Sequence, residues 1–89
     1  MEYIITNIVS KNGDFNIYHE WMHWAEANIL FAEVGERADI QYKVEGAKYP
    51  NHQASTSPVV SIEDDGETLT LETINTVYTF QRQNKGGVL

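Results

Sequence analysis

The strongest constraint on this fold is the strict alternation of apolar and polar residues between positions 57 and 82. Apolar side chains occupy every second position in three short runs, which is the period of a half-buried β-strand. Asp64, Asp65 and Gly66 predict a turn after the first run, because Asp tolerates the left-handed backbone region and Gly enters it without strain. Asn75 and Thr76 are a weaker turn signal before the third run. We therefore predict three consecutive antiparallel strands whose buried face comprises Val60 or Ile62 together with Leu69, Leu71, Tyr78 and Phe80.

Two further segments resemble strands. Residues 1–10 contain a β-branched run, and residues 38–45 alternate Ile40, Tyr42 and Val44 with polar side chains. The Asn12–Gly13 pair after the first segment is a strong hairpin signal, because a type I′ turn needs two successive residues at positive φ. The sequence therefore predicts a hairpin at the N-terminal end of the chain.

Residues 15–34 fit two patterns. As a helix capped by Asp14 or Asn16, the segment places Ile17, Trp21 and Trp24 on one stripe. As strands, it provides a first strand from residue 15 and a second hairpin that runs from residue 27 through Gly35 to residue 44. Strand formers dominate its beginning and helix formers its second half. We expect a strand at the start and at most one helix between residues 19 and 31.

These patterns define a mainly β fold (β-dominated α+β), a small antiparallel sheet or partly open barrel of about five to six strands. Residues 1–83 form one domain, and residues 84–89 are expected to be a frayed tail. Residues 47–57 contain Pro50, Asn51 and several small polar side chains, and we predict a loop there.

Composition excludes several classes of function. The chain has 89 residues, no cysteine and a net charge of −7, which excludes thiolate chemistry and disfavours direct nucleic-acid binding. It contains no secretory signal and no apolar stretch of about 20 residues, so we expect no membrane association and a cytoplasmic location. A chain this short leaves much of its surface uncovered, which favours a homo-oligomer.

The segment His19-Glu20-Trp21-Met22-His23 matches the zinc-protease pattern H-E-x-x-H. That chemistry needs a helix, because residues four apart lie about 6 Å apart on a helix but roughly 13 Å apart on a strand. It also needs a third ligand, for which Glu26 and His52 are available. Trp21 and Met22 within the motif favour ordinary core packing, so we predict no catalytic residue, no metal and no cofactor. A zinc-dependent hydrolase that uses His19, His23 and Glu26 is the alternative.

We expect recognition residues on the predicted loop and at the nearest strand entry, because binding side chains often lie on loops held by a rigid scaffold. Arg37 provides a bidentate donor for a phosphate or a carboxylate. The predicted loop provides an aromatic ring, an amide and hydroxyl groups. The predicted binding residues are Arg37, Tyr49, Asn51, Thr56 and Ser57.

Residues 34–38 (VGERA), 56–59 (TSPV) and 73–78 (TINTVY) together resemble small phage-encoded β-rich proteins, some of which antagonise bacterial defence systems. The resemblance covers about half of the chain. It implies an inhibitor that binds a host defence protein, or a protein that sequesters a nucleotide signal in the host cytoplasm. We therefore predict a non-catalytic binding protein whose partner is a host protein or a small nucleotide. An accessory protein without a ligand is the remaining alternative.

Overall fold

The computed structural model describes residues 1–13 and 16–83, which form a closed antiparallel β-barrel with one short helix. Neighbouring strands in the barrel are also neighbours in the sequence, and β6 closes on β1. The predicted mainly β fold is confirmed, and no helix of the described residues is long and apolar enough to span a bilayer. The elements are β1 (Tyr3–Ser10), α1 (Ile17–Met22), β2 (Glu26–Phe31), β3 (Arg37–Lys43), β4 (Asn51–Asp64), β5 (Thr68–Thr73) and β6 (Thr76–Arg82).

The barrel interior is filled by alternate side chains of the strands. Leu71 and Phe80 are fully buried, and Leu69 and Tyr78 are nearly so, which confirms the face predicted for β5 and β6. The prediction for β4 was wrong, because Val60 is 48% exposed and Ile62 is 36% exposed, whereas Val59 is buried. A register shift between Val59 and Ser61 explains why Val59 and not Val60 faces inward, whereas Ile62 lies opposite Leu71 and so shares its face. A bulge inserts one unpaired residue and so changes which side chains point inward.

The loop predicted at residues 47–57 is wrong from Asn51 onward, because β4 begins there. Its first half pairs with β3, with Tyr42 opposite His52 and Ile40 opposite Ala54. Inward positions in this half are held by His52, Ala54 and Thr56, so the usual alternation of large apolar residues is missing. Polar and small side chains fit here because this part of β4 lines a cavity at one end of the barrel.

The region between β1 and β3 also differs from the prediction. Gly13 has a positive φ of 74° and its N–H donates to Ser10, so a turn forms there, but the chain leads into α1 and not into a paired strand. The predicted order of strand and then helix is reversed, because α1 (Ile17–Met22) precedes β2 (Glu26–Phe31). The second hairpin is confirmed by the pairing of β2 with β3. Asp14 and the predicted tail at residues 84–89 lie outside the described residues.

The β1–β2 seam is short. Strand pairing across it joins Tyr3 to Ala27 and Ile4 to Glu26. Beyond these pairs, the Trp24 N–H donates to the Ile5 carbonyl at 2.7 Å, and the Ile5 N–H donates to the Ala25 carbonyl at 3.0 Å. The segment that follows α1 therefore completes the closure of the barrel.

Candidate functional site

Helix α1 lies across one end of the barrel and is held there by Met22, the one buried side chain of the helix. Asn16 caps the helix, with its side-chain Oδ1 accepting from the Tyr18 N–H at 2.9 Å. Such a cap satisfies a backbone donor that has no partner within the helix. Because α1 has only six residues, it depends on the cap and on Met22 for its position.

The outer side of α1 and the turn after it expose four large apolar side chains within eight consecutive residues. We call this set the aromatic surface: Ile17 (48% exposed), Tyr18 (56%), Trp21 (45%) and Trp24 (66%). The Tyr18 and Trp21 rings meet edge to face, with centroids 5.7 Å apart. Single exposed apolar residues are normal, whereas contiguous exposed apolar groups are typical of interaction sites, which makes this set a candidate.

Trp24 has a backbone φ of 70°, the one positive φ of a residue other than Gly in the described chain. A bulky side chain is strained in this region, which Gly enters without cost. The His23 imidazole stacks on the Trp24 indole, with centroids 4.8 Å apart and planes 19° apart. The fold thus holds a strained backbone that displays a large ring to solvent, and strain of this kind clusters at functional sites.

A cavity of about 310 Å³ lies between α1 and the barrel end. Its aromatic walls are in contact in pairs. The His19 and Tyr78 rings have centroids 5.8 Å apart, and the Tyr42 and His52 rings have centroids 5.5 Å apart. The amide of Asn16 and the hydroxyl of Ser55 add polar groups to the lining. No Lys, Arg, Asp or Glu of the described chain contributes to it.

Burial sets the protonation of this cavity. It lowers the pKa of His19 below its ordinary value, because a partly buried imidazole loses hydration of its charged form. It raises the pKa of Tyr42 and of Tyr78 for the same reason, since the phenolate is the charged form. At neutral pH these three side chains are therefore uncharged.

The H-E-x-x-H segment lies partly on α1. His19 is within the helix, and His23 is its C-terminal cap, so the helix required by the hydrolase alternative is present at His19. The two rings are engaged elsewhere, His19 against Tyr78 and His23 Nε2 at 3.0 Å from the Thr6 carbonyl oxygen. Glu26 lies on β2, 4.0 Å from the Lys43 ammonium. Within residues 1–13 and 16–83, no three His, Asp or Glu side chains are placed to hold a metal ion.

The predicted binding residues are only partly brought together. The Arg37 Nη1 donates to the Thr56 carbonyl at 3.0 Å, and the buried Thr56 hydroxyl accepts from the Ala38 N–H at 3.0 Å. The Ser57 hydroxyl accepts from the Asn75 N–H at 3.2 Å. Thr56 and Ser57 therefore have structural hydrogen bonds that join β4 to its neighbours. Tyr49 (75% exposed) and Asn51 lie on the surface at the start of β4.

The charge of the surface is predominantly negative. Lys11, Lys43 and Arg82 form ion pairs with carboxylates. The remaining described carboxylates form no ion pair with the described residues: Glu20, Glu33, Glu36, Asp39, Glu63, Asp65 and Glu67. With a net charge of −7 for the chain, the protein attracts basic surfaces at long range.

The residues that define this site were not found together from the sequence. Met22, Tyr42 and Tyr78 belong to three separate elements. The hydrophobic pattern of each element predicts that these side chains are buried, but it does not indicate at which end of the barrel they lie. The helix alternative places Trp21 and Trp24 on one stripe, and the sequence predicts core packing for Trp21, which is instead 45% exposed. Comparison with known protein families, with curated proteins and with solved structures finds no match for this chain.

Proposed function

We propose that this chain is a non-catalytic binding protein that occupies the surface of another protein through its aromatic surface. The observation that carries the proposal is Trp24, whose indole is 66% exposed on a backbone at φ 70°. The indole contacts His23 but leaves most of its surface in solvent, and Gly would adopt the same backbone conformation without strain. Both are explained if a partner buries the ring.

The composition of the aromatic surface fits a protein interface. Trp and Tyr are enriched among the residues that contribute most to protein–protein affinity, since they bury a large area and have few rotatable bonds. The Trp21 ring already packs edge to face against the His52 ring, at a centroid distance of 6.3 Å. A ring held in this way loses little conformational entropy when a partner packs against it.

Charge indicates the kind of partner. Glu20 is exposed on the same helix as Trp21, and the carboxylates without ion pairs make the surrounding field negative. A second copy of the chain would bring two bodies of charge −7 together, which opposes association through this surface. A protein with an apolar cleft rimmed by Lys and Arg gains from the same field. The resemblance to phage-encoded inhibitors supports a host defence protein as this partner.

The proposal is tested by affinity capture with matched variants. Wild-type protein, Trp24→Gly and Val60→Ala are immobilised and exposed to a lysate of the host cells at two salt concentrations. Trp24→Gly removes the indole and keeps a residue that adopts a positive φ without strain, and a circular dichroism spectrum equal to that of wild type shows that the variant is folded. Val60 is 48% exposed on β4 and provides a control for the loss of an exposed apolar side chain elsewhere.

We expect one protein to be retained by wild type and by Val60→Ala, to be lost with Trp24→Gly, and to be released as the salt concentration rises. Its purified form should then bind wild type directly and should carry a basic surface. Equal retention by all three proteins contradicts the proposal. So does a wild-type dimer that Trp24→Gly converts to a monomer, because the surface would then serve self-association. Tyr49→Ala, measured alongside, tests the binding role that the sequence assigned to Tyr49.

A further inference from the structure

The cavity behind α1 shares Tyr18 with the aromatic surface but opens between the helix and the barrel, and it contains a polar group that the fold does not use. Tyr42 lines the cavity and is only 2% exposed. Its hydroxyl makes no hydrogen bond to any residue in the described parts of the chain. Buried polar groups in proteins are almost always hydrogen-bonded, and leaving one without a partner costs free energy. No fully buried side-chain nitrogen or oxygen of the described residues lacks a partner, so the Tyr42 hydroxyl reaches the open space of the cavity.

A second phenol, Tyr78, also lines the cavity, and its hydroxyl interacts with both Thr76 and His19. The Tyr78 hydroxyl lies 3.5 Å from His19 Nε2, beyond the usual range of a strong O–H···N contact. Tyr78 is 5% exposed. The cavity therefore offers a ligand the open hydroxyl of Tyr42, and beside it the Tyr78 hydroxyl and the His19 imidazole, whose mutual contact is long.

We propose that the cavity binds an uncharged, planar heteroaromatic ring with hydrogen-bonding edges, the chemistry of a nucleobase in a nucleoside. The volume of about 310 Å³ is at the lower end of the range for small-molecule sites, about 300–1,000 Å³. Tyr42, His52 and Tyr78 line the cavity, and aromatic side chains of this kind pack favourably against a planar ring. Asn16 and Ser55 provide both donors and acceptors for its polar edge.

The lining also indicates that the ligand carries no negatively charged group. A phosphate or carboxylate requires a cation or a cluster of backbone N–H donors, and none of the described cavity residues is a Lys or Arg. Arg37, the predicted anion clamp, donates to the Thr56 carbonyl and does not line the cavity. The surrounding negative field adds repulsion for an anion. A nucleoside therefore fits better than its 5′-phosphate.

The test uses the purified chain, titrated separately with adenosine, guanosine, cytidine, uridine and their four 5′-monophosphates. Binding is followed by isothermal titration calorimetry and by backbone amide NMR shifts. Tyr42→Phe removes the unpartnered hydroxyl and keeps the ring. Tyr3→Phe is the matched control, because Tyr3 is also buried (6% exposed) but packs against Phe80 and Arg82 and lines no part of this cavity.

We expect saturable binding of at least one nucleoside with shifts at His52 and Ser55, and a monophosphate that binds no more tightly than its nucleoside. Tyr42→Phe should weaken binding about two- to tenfold, as for loss of one hydrogen bond, and Tyr3→Phe should leave it unchanged. If Tyr42→Phe fails to fold, Gln53→Ala at the exposed rim of the cavity replaces it, with the same direction expected.

Three results would overturn the proposal: absence of binding for all four nucleosides, binding that Tyr42→Phe does not weaken, or tighter binding of a monophosphate than of its nucleoside. None of these measurements involves a protein partner. The proposed protein-binding function and the proposed ligand cavity can therefore fail independently.

Discussion

Met22 should determine whether the aromatic surface remains attached to the barrel. Its side chain is 1% exposed and is the one buried side chain of α1. Truncation of a fully buried Met to Ala costs about 2–5 kcal/mol, the range set by how far the site collapses around the lost atoms. An 89-residue chain has a total stability of about 4–13 kcal/mol. Met22→Ala should therefore remove a large share of the free energy of unfolding.

The measurement is urea denaturation followed by both tryptophan fluorescence and far-ultraviolet circular dichroism. Trp21 and Trp24, the two tryptophans of the chain, report on the site, while circular dichroism reports on the strands. With an m-value of about 1 kcal/mol/M, near the low end for small proteins, the midpoint should fall by about 2 M or more. The control is Ile17→Ala, whose side chain is 48% exposed and whose loss should cost about 1 kcal/mol or less.

Equal midpoints for Met22→Ala and Ile17→Ala would refute the reasoning, because they would show that Met22 does not anchor the helix. Two transitions in Met22→Ala, with fluorescence changing at lower urea than circular dichroism, would show that α1 undocks while the barrel remains folded. In that case the substitution destabilises the docking of α1 and not the fold of the barrel.

Three further predictions concern the core, the helix cap and the cavity. Leu71→Ala should cost about 2–5 kcal/mol in chemical denaturation, whereas Ile62→Ala, opposite it in the β4–β5 pairing but 36% exposed, should cost clearly less. Asn16→Ala should reduce stability by about 0.5–2 kcal/mol through loss of the cap, measured by thermal denaturation. Because burial lowers the pKa of His19, the unfolded chain binds more protons than the folded chain just below pH 6.5. Stability should therefore fall as the pH drops through that window, and His19→Gln should reduce this dependence.

Each of these three predictions would be contradicted by a specific result. Equal costs for Leu71→Ala and Ile62→Ala would show that the difference in burial between these two paired residues does not determine the cost of truncation. An unchanged melting temperature for Asn16→Ala would show that the side-chain cap does not stabilise α1. An identical loss of stability between pH 7 and pH 5.5 in wild type and His19→Gln would assign the pH dependence to other groups.

The sequence predicted the parts of the fold in which apolar residues follow the ordinary pattern. Strands β5 and β6 alternate Leu69, Leu71, Tyr78 and Phe80 with polar residues, and all four are buried. The prediction failed at Val60 because a bulge after Val59 changes the side that faces inward, and the one residue that favours a bulge there, Pro58, does not specify its position. It failed again at the start of β4, where the inward positions face a cavity and so do not need large apolar side chains.

The candidate site could not be predicted from the sequence for a different physical reason. Pattern analysis assumes that Ile, Tyr and Trp near each other are buried, and around α1 the assumption fails because Ile17, Tyr18, Trp21 and Trp24 are exposed. The cavity combines side chains from α1, β3, β4 and β6, which are far apart in the chain. Their proximity depends on barrel closure, and sequence periodicity does not determine closure.

The backbone of Trp24 links the exposed ring to the closure of the barrel. Its N–H donates to the Ile5 carbonyl in the β1–β2 seam, where strand pairing spans Tyr3 to Ala27 and Ile4 to Glu26. A partner that binds the Trp24 indole favours the closed β1–β2 seam, because opening of the seam would move the indole. By thermodynamic linkage, such a partner should slow exchange of the Ile5 amide hydrogen, which bonds across the seam to the Ala25 carbonyl, at a residue that the partner does not need to touch. Hydrogen exchange in β1 is therefore a reporter of occupancy at the helix, and a substitution that loosens the seam would weaken the partner's affinity while leaving every contact residue in place.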